Sequence, residues 1–276
     1  MIQTTTPQKL LAKYHLRPHK GLGQNFLSDD TVLAGIADAA GIPEHASVLE
    51  VGPGLGSLTR HLAARAERVV TVELDKDLIP VLRKELADCP NIEIVEGDIL
   101  EFSPDEYFKD EDYYVAANIP YYITSAVIRH LLEGKARPEQ LALTVQKEVA
   151  ERICAAPGKL SLLALSVQVY GKADIPMIIP ASAFYPEPKV DSAVVRIELY
   201  DDPLIPAAEM DEFFDLAKAG FGQKRKTLRN AFSSNLHLSS AEAEAYLQKA
   251  GIDPMRRAET LTIPEWKQLM DVKKAA

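Results

Sequence analysis

The chain has 276 residues, a net charge of −9, 47% hydrophobic and 26% charged residues. That composition suits a folded protein with a full core and excludes a disordered, collagen-like or coiled-coil chain. Two cysteines, Cys89 and Cys154, exclude a disulfide scaffold, and without a CxxC or a nearby histidine pair they predict no zinc site.

The first 28 residues contain Lys9, Lys13, Arg17 and Lys20 but no acid. They hold no continuous apolar stretch, so no secretory signal is read there, and nowhere does an apolar run approach the roughly 18 residues of a membrane span. A cytoplasmic protein, without membrane or metal, is expected. A second acid-free window, Leu216 to Ala241, carries Lys218, Lys224, Arg225, Lys226 and Arg229. Two basic islands in an acidic chain point to a polyanionic partner.

From Ser47 the pattern alternates strands and helices. SVLEV (47–51) is a buried strand, and SLTRHLAARA (57–66) has helical spacing with Ser57 as N-cap. RVVTVEL (68–74) is a strand. DKDLIPVLRKELA (75–87) is a helix capped by Asp75, its first turn delayed by Pro80. NIEIVEGD (91–98), YYVAAN (113–118) and LALTVQ (141–146) are strands, with a helix over 124–132 between the last two. Such alternation predicts an α/β fold with a mostly parallel sheet. VDSAVVRIEL (190–199) suits a late antiparallel strand. DDPLIP (201–206) reads as a linker, and every window from Glu209 on is helical. The expected organisation is an α/β domain over 1–200, with the basic N-terminal segment, and a small all-α domain over 201–276.

Four strand ends carry the chemistry. The first is Glu50-Val-Gly52-Pro-Gly54-Leu-Gly56, a glycine turn between strand and helix that lets a ligand approach the backbone. Its GxGxG spacing differs from the dinucleotide fingerprint, and no GKS or GKT follows, which disfavours a P-loop. The second is Glu73, an acceptor for two ribose hydroxyls; the third is Asp98, an acceptor for an adenine amine. In an open α/β sheet such ends line one crevice, so these residues describe a nucleoside site. Glycine turn and acid alone would also serve a nicotinamide dinucleotide; the fourth end decides. In Asn118-Ile-Pro120-Tyr121-Tyr122, the Asn118 side chain and the Ile119 carbonyl can accept the N–H bonds of an aromatic amine and turn its lone pair outward. Pro120 keeps the turn out of a helix, and Tyr121 offers a flat face to a base.

These ordered motifs resemble class I S-adenosylmethionine-dependent adenine-N6 methyltransferases, a Rossmann-like fold. Further stretches resemble one family among them, the ribosomal RNA small-subunit adenine dimethyltransferases: Gly23-Gln-Asn25-Phe-Leu27, Gln146-Lys-Glu-Val-Ala150 with Arg152, Phe184-Tyr-Pro-Glu-Pro-Lys-Val-Asp-Ser192, Arg225-Lys-Thr-Leu-Arg-Asn230 and Arg257-Ala-Glu-Thr-Leu261. The resemblance covers about residues 18–270; Ala126 departs from it, where the family commonly has proline. It implies S-adenosyl-L-methionine as cofactor, bound by Asn25, Leu27, Gly52, Gly54, Glu73, Asp98 and Asn118. It implies catalysis around Asn118 and Pro120, with Tyr121 and Phe184 sandwiching a flipped adenine. Ribosomal RNA of an assembling small subunit would dock on the helical domain through Lys224, Arg225, Lys226 and Arg229, which spacing predicts on one helix face. The implied reaction is dimethylation of two adjacent adenosines near the 3′ end of that RNA by a monomeric enzyme. The nearest rival is the large-subunit adenine methyltransferase of macrolide resistance, which shares the Asn-x-Pro-Tyr turn.

Overall fold

The computed structural model describes residues 5–109, 111–223 and 225–274. It divides into two compact units, one within residues 1–150 with 173–199 and one within 151–172 with 200–276. No helix among the described residues is long and apolar enough to cross a membrane.

The first unit begins with α1 (Pro7–Lys13), a short strand β1 (Phe26–Leu27) and α2 (Asp30–Ala39). The α/β alternation then runs β2 (Ser47–Val51), α3 (Ser57–Ala63), β3 (Arg68–Glu73), α4 (Ile79–Glu85), β4 (Ile92–Glu96), α5 (Pro104–Phe108), β5 (Tyr113–Asn118), α6 (Thr124–Glu133), β6 (Gln140–Gln146) and α7 (Lys147–Ile153). After α8 (Leu162–Gln168) of the second unit come β7 (Gly171–Ile179), β8 (Phe184–Tyr185) and β9 (Ser192–Leu199). Seven strands form one sheet in the order β4-β3-β2-β5-β6-β9-β7, while β1 and β8 pair separately. Neighbours from β4 through β6 are parallel, and β9 runs antiparallel to β6. This is a class I methyltransferase-like sheet. Its order reverses between β2 and β5, so the crevice for a ligand lies at their carboxyl ends.

The strand sequences explain the burial. Every residue of β2 is buried, as are five of the six in β3, because helices cover both faces. Parallel strands of this kind therefore read as continuous apolar runs. β7 escapes sequence reading because Pro176 interrupts it; its place at the sheet edge tolerates the missing N–H.

Two caps differ from expectation. Gly56, not Ser57, stands at the α3 N-cap, at φ +82°, where a left-handed backbone suits glycine. Asp75 does not cap α4; its side chain accepts the Asp77 N–H in a local turn, and the helix starts at Ile79 with Pro80 in its first turn. The acid-free N-terminus is anchored rather than loose: Leu10 and Leu11 of α1 bury against Leu78 and Val81, and Lys13 pairs with Glu85.

The second unit is helical: α8 with α9 (Met210–Phe221), α10 (Leu228–Asn235), α11 (Ser240–Lys249) and α12 (Ile263–Lys274). Its core gathers Phe213, Phe232 and the fully buried Trp266, which stacks on Phe221 at 5.9 Å. Residues 151–172 belong to this unit although no composition shift marks them off from what precedes.

Candidate functional site

A cleft of about 1050 Å³, counting space open to solvent, lies at the carboxyl ends of β2, β3, β4 and β5. Asn25, Leu27, Gly52, Gly54, Glu73, Asp98, Asn118, Pro120 and Tyr121 all line it. Parallel pairing in register is what gathers them: Val51 lies beside Ala117, and Glu73 beside Glu96.

The glycine turn and Glu73 form one unit. Glu73, 6% exposed, accepts the Gly54 N–H at 3.0 Å and the Asp75 N–H at 2.8 Å, one on each oxygen. Each oxygen keeps a second lone pair for a hydroxyl. Burial pushes the Glu73 carboxyl above its ordinary range, and the two amide donors pull it partly back. Gly52 holds φ +66°, and a side chain added there would meet nothing within 4 Å: the backbone borders open cleft. Asp98 accepts the Leu100 N–H at 2.9 Å through one oxygen, which leaves the other for a ligand amine.

A strap from the N-terminal segment crosses this wall. Gln24 Nε2 donates to Asp75 at 2.6 Å, and Asn25 Nδ2 donates to the Gly23 carbonyl at 3.1 Å. The Asn25 carbonyl in turn accepts from Asn118 Nδ2 at 2.9 Å. A carbonyl can only accept, so this bond fixes the Asn118 amide with nitrogen toward the strap and Oδ1 free to act as an acceptor. β1 then pairs with β8, Phe26 opposite Tyr185 and Leu27 opposite Phe184. Pro120 at φ −56° and ψ 130° holds extended backbone between β5 and the turn Tyr121–Ile123. The Tyr121 hydroxyl lies 2.7 Å from Ser192 Oγ, which anchors the ring; its phenol is shifted up by burial.

Two expectations are corrected. Phe184 does not line the cleft. It is 4% exposed and packs in the core with Leu27 and Ala183, so it presents no ring face for stacking in this arrangement. The basic residues do not share a helix face. α10 begins at Leu228, after Arg225 and Lys226, which are exposed in the preceding turn; Arg229 bridges to Glu244 at 3.4 Å. An acid absent from the local sequence thus reaches it through the fold. Lys224 lies outside the described residues. Among the described residues no cluster of histidine, cysteine or acid could hold a metal.

Sequence reading left Glu50 without a role. It is 1% exposed, lines the cleft, and its Oε2 has no hydrogen-bond partner among the described residues. Burial pushes its carboxyl up to about 8; the Thr59 and Thr71 hydroxyls lower it somewhat and Glu73 raises it. Between its ordinary 4.5 and about 8 the folded protein holds a proton that the unfolded chain has lost. Stability from this group is therefore greatest below 4.5 and falls as pH rises through that window. Glu50→Gln, a neutral near-isostere, should raise the melting temperature at pH 9 and barely change it at pH 4. Calorimetric melts at both values check this.

The fit to S-adenosyl-L-methionine is chemical. A buried acid pair, an orphaned acceptor at Glu50 and open space over Gly52 suit a ligand with a diol and cationic groups.

The family model for ribosomal RNA adenine dimethylase matches residues 15–274. A ribosomal RNA small subunit methyltransferase A of Dehalococcoides mccartyi is 46% identical over 95% of this chain and 90% of its own. Its counterpart in Alkaliphilus oremlandii is 41% identical over 96% of each chain. Among solved structures, a dimethyladenosine transferase from Plasmodium falciparum superimposes with a TM-score of 0.75 at 26% identity, over 90% of this chain and 98% of that one. The 23S rRNA methyltransferase ErmE gives 0.73 at 30%, over 90% and 99%. Match length, identity and coverage agree: the chain belongs to the ribosomal RNA adenine dimethylase family.

Proposed function

We propose that this enzyme uses S-adenosyl-L-methionine to dimethylate two adjacent adenosines near the 3′ end of small-subunit ribosomal RNA, as a cytoplasmic monomer acting on an assembling subunit. The observation that carries the chemistry is the Asn118 amide, pinned by the Asn25 carbonyl with Oδ1 free to accept. The cofactor supplies an electrophilic methyl group. Glu73 holds its ribose, Asp98 its adenine amine, and the strap residues Asn25 and Leu27 cover it.

Asn118 Oδ1 and the Ile119 carbonyl accept the two N–H bonds of the target amine. An aromatic amine delocalises its lone pair into the ring; two acceptors hold the nitrogen with that pair facing the methyl donor. This is positioning and electrostatic stabilisation rather than removal of a proton in advance. Tyr121, fixed by Ser192, stacks on the adenine. Phe184 becomes a second stacking face only if its ring leaves the core beside Leu27. The higher identity to small-subunit enzymes, 46% against 30% for the large-subunit one, favours the small-subunit substrate. Incubation with tritiated S-adenosyl-L-methionine and undermethylated small subunits, and in parallel with undermethylated large subunits, followed by mapping of labelled nucleosides, tests the reading. Label in two neighbouring dimethyladenosines is expected; label in large-subunit RNA alone would overturn it.

RNA docking is assigned to Arg225 and Lys226, exposed ahead of α10, with Lys224 beside them in sequence. Arg225→Glu with Lys226→Glu should weaken small-subunit binding at least about tenfold and flatten the slope of log affinity against log salt by about 2, one counterion per lost contact. Cofactor affinity should not change. Arg229→Ala should instead lower thermal stability, because it breaks the Glu244 bridge. Filter binding across a salt series checks the first effect and a thermal melt the second.

A further inference from the structure

The turn after β5 carries two tyrosines, and only Tyr121 is engaged above. Tyr122 is 61% exposed at the rim of the same cleft. A single exposed aromatic ring is ordinary on a protein surface, so it is the place of this one at the cleft rim that singles it out. Its ring is backed on one side. Gly23 packs into the corner between Tyr122 and Pro120, and a side chain there would lie 3.4 Å from Tyr122 Cδ1 and Cε1. Gly23 itself, at φ +62°, closes a short turn whose first residue, Lys20, is exposed. Arg17 and His19 are exposed just before it, and no acid occurs from Met1 to Ser28. The rim thus offers a backed aromatic ring beside a short segment with exposed basic side chains, Arg17 and Lys20, which fits a nucleobase with its phosphate better than an apolar protein segment.

The reaction creates a need for such a surface. An adenine drawn into the cleft leaves its neighbours in the strand without a stacking partner, at a cost of roughly a few kcal/mol. We propose that Tyr122 is a stacking platform for the nucleotide next to the target adenosine. The platform lies outside the base pocket and determines which RNA strand can place a base there. This rests on the reading that Tyr121 receives the target base. With two adjacent target adenosines, one occupies the pocket while its neighbour rests on Tyr122.

The test measures filter-binding affinity for undermethylated small subunits, methyl transfer into them, and calorimetric affinity for S-adenosyl-L-methionine. Tyr122→Ala and Tyr122→Leu should each weaken subunit binding and raise KM about tenfold, the scale of one stacked base. Cofactor affinity should stay within about twofold, as one base stack is independent of it. Tyr122→Phe and Tyr122→Trp should behave as wild type, since both keep a flat ring. Subunit binding unchanged in Tyr122→Ala overturns the platform. So does Tyr122→Leu behaving like Tyr122→Phe, which would mean apolar packing alone, or cofactor affinity falling in parallel, which would mean a structural role. If Tyr122→Ala fails to fold, the Leu and Phe variants decide. Wild-type protein that labels no adenosine removes the underlying reading, and the platform falls with it; wild-type labelling with an indifferent Tyr122→Ala removes the platform alone.

Discussion

Asn118→Ala should leave a folded protein with weakened cofactor binding and a methyl-transfer rate that falls about 100- to 1000-fold, the usual effect of removing one group aimed at the transition state. Asn118 does two things at once. Its Oδ1 can accept from the target amine, and its Nδ2 holds the Asn25 carbonyl at 2.9 Å. Alanine removes both. Asn118→Asp separates them: a carboxylate still accepts, but it has no N–H for the Asn25 carbonyl and repels it. The aspartate variant should therefore also be slow, with weakened cofactor binding because the strap loses its tether. Single-turnover transfer and calorimetry on both variants check this. An aspartate variant with wild-type rate and affinity would show that the bond to Asn25 does not orient the amide.

Glu73→Ala should weaken S-adenosyl-L-methionine by about 1–3 kcal/mol from the ribose contacts alone. It should also lower the melting temperature without ligand, because the Gly54 and Asp75 N–H groups both lose their acceptor. Glu73→Gln is the sharper probe. It preserves shape, yet its amide nitrogen must face one of those two N–H donors, so stability and affinity should again drop together. Unchanged affinity in either variant would remove the ribose assignment.

Most of the sheet was legible because parallel strands buried on both faces announce themselves as apolar runs; 113–118 matches β5 residue for residue. That the residues proposed for a nucleoside line one cleft was legible for the same reason, since they sit at the ends of those strands. What escaped depended on contacts far apart in sequence. β1 and β8 are two residues each and exist only through their mutual pairing. Arg229 looked unpaired because Glu244 lies 15 positions away on the next helix. Phe184 looked available because burial of one aromatic residue leaves no local trace. Glu50 stood inside a recognised motif, but its weakened acidity arises chiefly from enclosure, which leaves no mark in the sequence. The N-terminal basic segment was read for its charge alone, because Leu10 and Leu11 are too short an apolar pair to mark a buried helix.

The pairing of β1 with β8 also sets the order in which the site can be completed during synthesis. Tyr185, the partner of Phe26, leaves the ribosome 159 positions after it. Ser192, which anchors Tyr121, comes later still. The five parallel strands can assemble from the nascent chain as far as Gln146, yet the strap has no edge to settle on and Tyr121 no hydroxyl to hold it. Contacts this distant are slow to form and come after local structure. A growing chain therefore carries Glu73 and Asp98 well before the strap and Tyr121 are held in place, and under the proposed roles competence for transfer arrives as one late event.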